Sequence, residues 1–144
     1  MVTGQKILEL TADDSNRLNE QRAVVEQFLL SEDLVEKYKT AAGKITLLQA
    51  LIQGRFISAD QTYGLQCMGI VLGDVFVMNM GFHWIMVEDE YGRDPAIRYQ
   101  NTSIILHPLT MISKRVEKGE EINIDELYNG ISAIVNDLVE QVSK

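Results

Sequence analysis

The chain is poor in residues that crosslink or lock a backbone: one cysteine and two prolines in 144 residues. With Cys67 alone, no intrachain disulfide can form. Pro95 and Pro108 are the only hard breaks, and no internal repeat, low-complexity tract or Pro/Ser-rich linker divides the chain. One domain spanning 1–144 is therefore expected, of a size that buries roughly 70% of its unfolded surface. The short motifs of catalysis are missing too. There is no Gly-x-Ser-x-Gly elbow, and Gly64, Gly69 and Gly73 fall within a helical pattern instead of forming a phosphate loop after a strand. Cys67 lies in the apolar stretch Leu65–Leu72 without a positive neighbour in sequence, so it reads as a small buried hydrophobe, not a nucleophile. Asn101-Thr102-Ser103 matches a glycosylation acceptor by chance only.

Long apolar runs and clustered cations are scarce as well. The longest apolar region, Leu65–Met80, is interrupted by Gly69, Gly73, Asp74 and Asn79, short of the ~20 apolar residues of a membrane span. The start, Met1-Val2-Thr3-Gly4-Gln5-Lys6, lacks the basic and apolar segments of a signal peptide. A reducing cytoplasm is the expected setting. The net charge of −8 argues against nucleic acid or an anionic membrane as main partner, since counterion release needs clustered Lys and Arg. It suits a basic protein partner, although solubility alone also explains it.

What is present is apolar periodicity, with 46% hydrophobic residues. Residues 12–41 read as helical, with Leu18, Val25, Phe28 and Leu29 on one face. Asp13, Asp14 or Ser15 can cap the start, Ser31 marks a break, and Gly43 is expected to end the region. Ile45, Leu48 and Leu51 or Ile52 give a second segment over 44–53, stopped by Gly54. Ser58 is expected to cap a third helix over 59–80, in which Gly69-x-x-x-Gly73 predicts the close approach of another backbone.

The period then changes to two. His83-Trp84-Ile85-Met86-Val87 is strand-like, Asp89-Glu90-Tyr91-Gly92 a turn, Ala96–Tyr99 a return strand, and Ser103–Leu106 a third. Alternation puts His83, Ile85 and Val87 on one face, Trp84, Met86 and Glu88 on the other. Pro108 restarts a helix marked by Leu109, Ile112 and Val116 and closed by Gly119. Asn123, with Glu126 three residues on, caps a final helix on which Leu127, Ile131, Ile134, Leu138 and Val142 recur. The fold class predicted is α+β: a three-stranded antiparallel meander packed against five or six helices, with a helical part over 12–80, the meander over 83–107 and C-terminal helices over 108–143.

The stretch from Tyr63 to Gly130 resembles a bacterial family catalogued as a domain of unknown function. Leu72-Gly73, Trp84, the run Val87–Asp94, Pro108 and the run Ile112–Gly119 carry the likeness through their order and spacing. The resemblance covers about half the chain and implies a compact bacterial cytoplasmic protein, with no reaction attached.

Three groups of residues could carry chemistry. The acidic turn Glu88, Asp89, Glu90 and Asp94 could bind a hard cation, but lacks calcium-loop spacing and equally serves as a solvated hairpin tip. His83 and His107 flank the first and third strands, and with Asp89 would make a metal set. No His-x-x-x-His spacing supports that set, and both can be simple strand-end residues. The third group is Trp84, Asp89, Arg93, Asp94, Arg98, Lys114 and Arg115. Trp and Arg are frequent interface anchors, and Lys114-Arg115 can hold an anion; the plainer reading buries Trp84 and pairs the cations internally. No cofactor is implied. The expectation is a non-catalytic protein- or ligand-binding module, in the manner of an antidote to a basic protein. The alternative is a small metal-assisted hydrolase using His83, His107 and the acidic turn. A homodimer through the outer sheet face or the last helix is a further possibility.

Overall fold

The computed structural model describes residues 5–143. Helix α1 (Ala12–Glu26) starts one residue beyond Thr11, whose hydroxyl accepts from Asp14 N while the Asp14 carboxylate accepts from Thr11 N. This reciprocal capping box places the cap ahead of the expected Asp13–Ser15. The break at Ser31 is real: its hydroxyl accepts from Leu34 N and opens α2 (Glu32–Tyr38). Gly43 does not end the region as predicted. The Thr40 hydroxyl donates to Lys37 O and accepts from Gly43 N, which ends α2 and starts α3 (Ala41–Gln53) within one turn. A Cβ on Gly43 would lie 1.7 Å from Lys37 O, so close packing of two helix ends is its purpose.

Helix α4 (Thr62–Met80) begins later than expected, because Ser58 is bonded to the Gln61 side chain and does not cap the helix. Burial is not confined to one face of α4. Cys67, Ile70 and Val71 are buried together with Leu65, Met68, Leu72, Val75 and Phe76. The cause is position: α1 and α3 pack against it, as do β2, the turn after β4 and α5. By length and composition α4 is apolar enough to cross a membrane, but 56% of that window is buried inside the fold, as in a core helix.

The sheet has four strands, not three: β1 (Lys6–Leu8), β2 (Phe82–Asp89), β3 (Gly92–Tyr99) and β4 (Ile105–Leu106), in the antiparallel order β1-β2-β3-β4. Three residues are too few to show a period of two, so β1 leaves no sequence signal. Gly92, at φ +139°, makes the tight β2–β3 connection. The predicted alternation holds. Phe82 and Trp84, with Ile97, Tyr99 and Leu106, face the helices. Ile85, Val87, Ala96 and Ile105 form a small second cluster on the outer face. The helix expected from Pro108 divides into a 3-10 turn (Pro108–Thr110) and α5 (Ser113–Glu117). Asn123 caps α6 (Ile124–Val142) by accepting from Glu126 N.

Gly69 and Gly73 determine where the turn after β4 sits. A Cβ on Gly69 would lie 2.2 Å from Pro108 O, and one on Gly73 2.7 Å from the Trp84 ring. This is the close approach their spacing predicts, made by an irregular turn and an indole. On the other flank, Arg93 of β3 forms a two-pronged ion pair with Asp14 of α1, one bond being 2.8 Å. The Arg93 bond, followed by the capping bond from Thr11, holds the Asp14 carboxyl well below its usual value of 3.8.

Two outcomes follow in urea unfolding. Gly69→Ala forces Pro108 away from α4 and costs about 1–3 kcal/mol. Gly130→Ala, in the interior of α6 where a Cβ meets nothing within 4 Å, stabilises by about 0.5–1 kcal/mol. The Asp14 pair makes stability depend on pH. A carboxyl whose folded pKa lies below its unfolded one contributes fully above the unfolded value and loses that contribution as pH falls. The melting temperatures of the parent chain and Asp14→Asn should therefore differ by a constant amount above pH about 4 and draw together progressively as pH falls below it.

Candidate functional site

The residues singled out by sequence are distributed over three places. Trp84 is half-buried against α4, and its Nε1 donates to Asp74 Oδ1 at 2.9 Å. Arg93 points to the same face and is held by Asp14. Asp89 closes the hairpin tip, its Oδ1 accepting from Tyr91 N at 2.8 Å. Asp94 and Arg98 lie on the outer face, opposite Val87 and His83 respectively. Arg98 Nε donates to Thr102 O at 2.6 Å and so fixes the β3–β4 turn. Trp84, Arg93 and Arg98 thus act mainly as structural ties.

Lys114 and Arg115 do converge, but elsewhere. With His107, Lys118 and Glu120 they line an open concavity of about 420 Å³ beside the 3-10 turn. Arg115 Nη1 donates to Met111 O at 2.7 Å, and Glu120 offsets part of the positive charge. His83 is exposed on β2 and is not part of that concavity's lining. Among the described residues, no three His, Cys, Asp or Glu side chains come together as metal ligands, so His83, Asp89 and His107 do not form the set weighed from sequence. Cys67 is fully buried, and burial pushes its thiol above the usual range. A thiol in that state is a weak nucleophile.

A largely apolar concavity lies between α2, α3 and the loops that flank them, in a region without a sequence motif. It has a volume of about 590 Å³, and Phe28, Leu34, Tyr38, Leu47, Ala50 and Phe56 contribute to its walls. The local sequence accounts for it. Ser31 and Thr40 each cap a new helix, so the chain changes direction twice within ten residues and α2 comes to lie beside α3. Phe28 and Phe56 meet edge to face at 5.9 Å and close one end. Leu30 is 86% exposed and Phe56 61% exposed, an unusual state for large apolar side chains in adjoining loops.

Two of the three hydroxyls in the wall are committed to backbone, and the buried Tyr38 hydroxyl has no hydrogen-bond partner among the described residues. Thr40 donates to Lys37 O and Thr46 donates to Ala42 O. Lys37 pairs with Asp33 across the exposed face of α2. Tyr38 is buried, with Lys44 Nζ 3.7 Å from its ring centroid. Burial, reinforced by nearby Glu26, pushes the Tyr38 hydroxyl upward, so the ring is neutral at physiological pH. The cleft therefore offers hydrocarbon and aromatic surface and few free polar groups. A sequence signal did exist: Leu30, Leu34 and Phe56 are apolar residues out of phase with the buried helical stripes.

Comparison with known proteins places the fold. No curated protein matches significantly. A crystal structure of a protein from Bacteroides thetaiotaomicron VPI-5482, at 1.50 Å resolution, is similar with a TM-score of 0.70 and 19% sequence identity. The match covers 93% of this chain and 48% of that one, so this chain spans about half the length of that protein. At that identity the likeness speaks for the fold alone. The family model described as Domain of unknown function (DUF3806) matches residues 44–128. The match begins in α3, ahead of Tyr63 where the resemblance was first visible, and takes in Trp84, the hairpin and the Pro108 turn. The chain is a member of this family, the domain of unknown function DUF3806.

Proposed function

We propose that this domain is a non-catalytic binding module whose cleft between α2, α3 and their flanking loops takes an apolar ligand of small-molecule size. The observation that carries the reading is a concavity of about 590 Å³ walled mainly by apolar side chains, with the Thr40 and Thr46 hydroxyls already bonded to the protein's own backbone. That volume lies in the ~300–1,000 Å³ range of ligand sites. A ligand rich in polar groups would lose water there without replacing its hydrogen bonds, whereas a hydrocarbon or aromatic body loses nothing. Exposed Leu30 and Phe56 at the margin gain burial when the cleft fills. The alternative, a metal-assisted hydrolase, has less support, because its proposed ligands are dispersed.

Titration with 1-anilinonaphthalene-8-sulfonate, in competition with 1-decanol, tests the reading. One saturable site per chain is expected. Ala50→Trp, which fills the cleft from an exposed position on α3, should weaken dye binding at least about tenfold, equivalent to 1.4 kcal/mol. Ala133→Trp, exposed on α6, should leave it unchanged. Equal binding by the parent chain and Ala50→Trp contradicts the proposal, as does the lack of a saturable site.

A further inference from the structure

Helix α6 carries more apolar residues than the core uses. Val135 is fully buried, and Tyr128 and Val139 are partly buried against the core. A second seam, Ile124, Leu127, Ile131, Ile134 and Leu138, follows the alternating three- and four-residue spacing of a heptad repeat. It starts inside the fold and leaves it: Ile124 is buried, Leu127 and Ile131 are half-buried, and Ile134 is 62% and Leu138 38% exposed. Val142, 51% exposed, extends the apolar surface to the end of the helix. A heptad seam is the sequence form of a surface that pairs with another helix.

Charge selects the occupant. From Gly119 to Ser143 there is no Lys or Arg, whereas Glu120, Glu121, Asp125, Glu126, Asp137 and Glu140 are all present. On a helical projection Glu126 and Asp137 flank the seam on the side away from the core. The last turn contains no basic residue, and Glu140 stands near the negative end of the helix dipole, where an anion is disfavoured. A two-fold pairing of α6 with a second copy would bring the acidic edge of one chain, which carries Glu126 and Asp137, toward that of the other. A basic helix would neutralise that edge.

We propose that the exposed seam of α6 is a docking surface for a basic amphipathic helix of a partner protein. This surface is separate from the α2–α3 cleft and stands independently of the ligand proposed there. The partner would place its apolar a and d residues against Ile134 and Leu138 and its Lys or Arg residues along the edge that carries Glu126 and Asp137. So short a seam gives a small, reversible interface whose encounter is steered by charge.

The test titrates the full chain with a designed helical peptide carrying leucine at a and d and lysine elsewhere, at low and moderate salt. The parent chain should be monomeric by sedimentation and bind the peptide. Ile134→Ser with Leu138→Ser, both at exposed positions, should weaken binding at least tenfold without lowering the melting temperature. Glu126→Lys with Asp137→Lys should weaken it similarly and flatten its salt dependence, and a leucine–glutamate version of the peptide should not bind. Ala50→Trp should bind the peptide as the parent does. Unchanged affinity in the serine variant would show charge attraction without a seam and overturn the proposal. A dimer dissolved by those serines would make the occupant a second copy, and loss of binding in Ala50→Trp would move the surface to the cleft. Either result overturns it, as does no binding at all.

Discussion

The Asp74 carboxylate joins the helical layer to the sheet. Arg22 of α1 donates to it from Nε at 2.7 Å and from a terminal nitrogen at 2.9 Å, and Trp84 of β2 donates from the indole at 2.9 Å. The side chains of Arg22 and Asp74 are 22% and 15% exposed, so little solvent competes for these bonds. A carboxylate removed from water needs its acceptor sites filled, and here three N–H groups fill them. The bond to Asp74 is the main reason the Arg22 guanidinium is held above its ordinary range and remains charged.

The rest of the architecture depends on where that carboxylate stands. Asp74 follows Gly73, so the indole it holds lies across the glycine surface of α4, and Pro108 packs on the same surface. Trp84 positioned there sets the register of β2 against β3 and, through Leu106, the start of the Pro108 turn. The helix carrying these contacts is buried on nearly all sides, which leaves few of its groups free to meet a ligand. The proposed working surfaces are accordingly peripheral. One is the cleft between α2, α3 and their flanking loops, and the other is the outward part of α6.

Much of this was legible in the sequence, for identifiable reasons. Periods of 3.6 and two located the long helices and the β2–β3 hairpin, because those segments are long enough to show a repeat. Gly69 and Gly73 announced a close approach correctly, though not which group approaches. Strand β1 was missed because three residues carry no period, and the Pro108 helix split because its turn is pinned against Gly69. Site residues were harder to read. Arg93 and Arg98 have the composition of an interface but are spent on Asp14 and on the Thr102 carbonyl. A side chain's partner is a tertiary fact that local sequence does not encode. The cleft went unseen for the converse reason: its one signal, Leu30, Leu34 and Phe56 standing out of phase with the buried stripes, marks apolar residues without showing that they converge.

The central claim is that Asp74 and Arg22 act as one unit in tying α1 to α4. A double-mutant cycle in urea with Arg22→Ala, Asp74→Ala and the double variant measures it directly. The account predicts that each single substitution strands the other charge, so that the double variant is more stable than the sum of the singles predicts, with a coupling of about 1–3 kcal/mol. Additive losses, with a coupling within about 0.3–0.5 kcal/mol of zero, would contradict it.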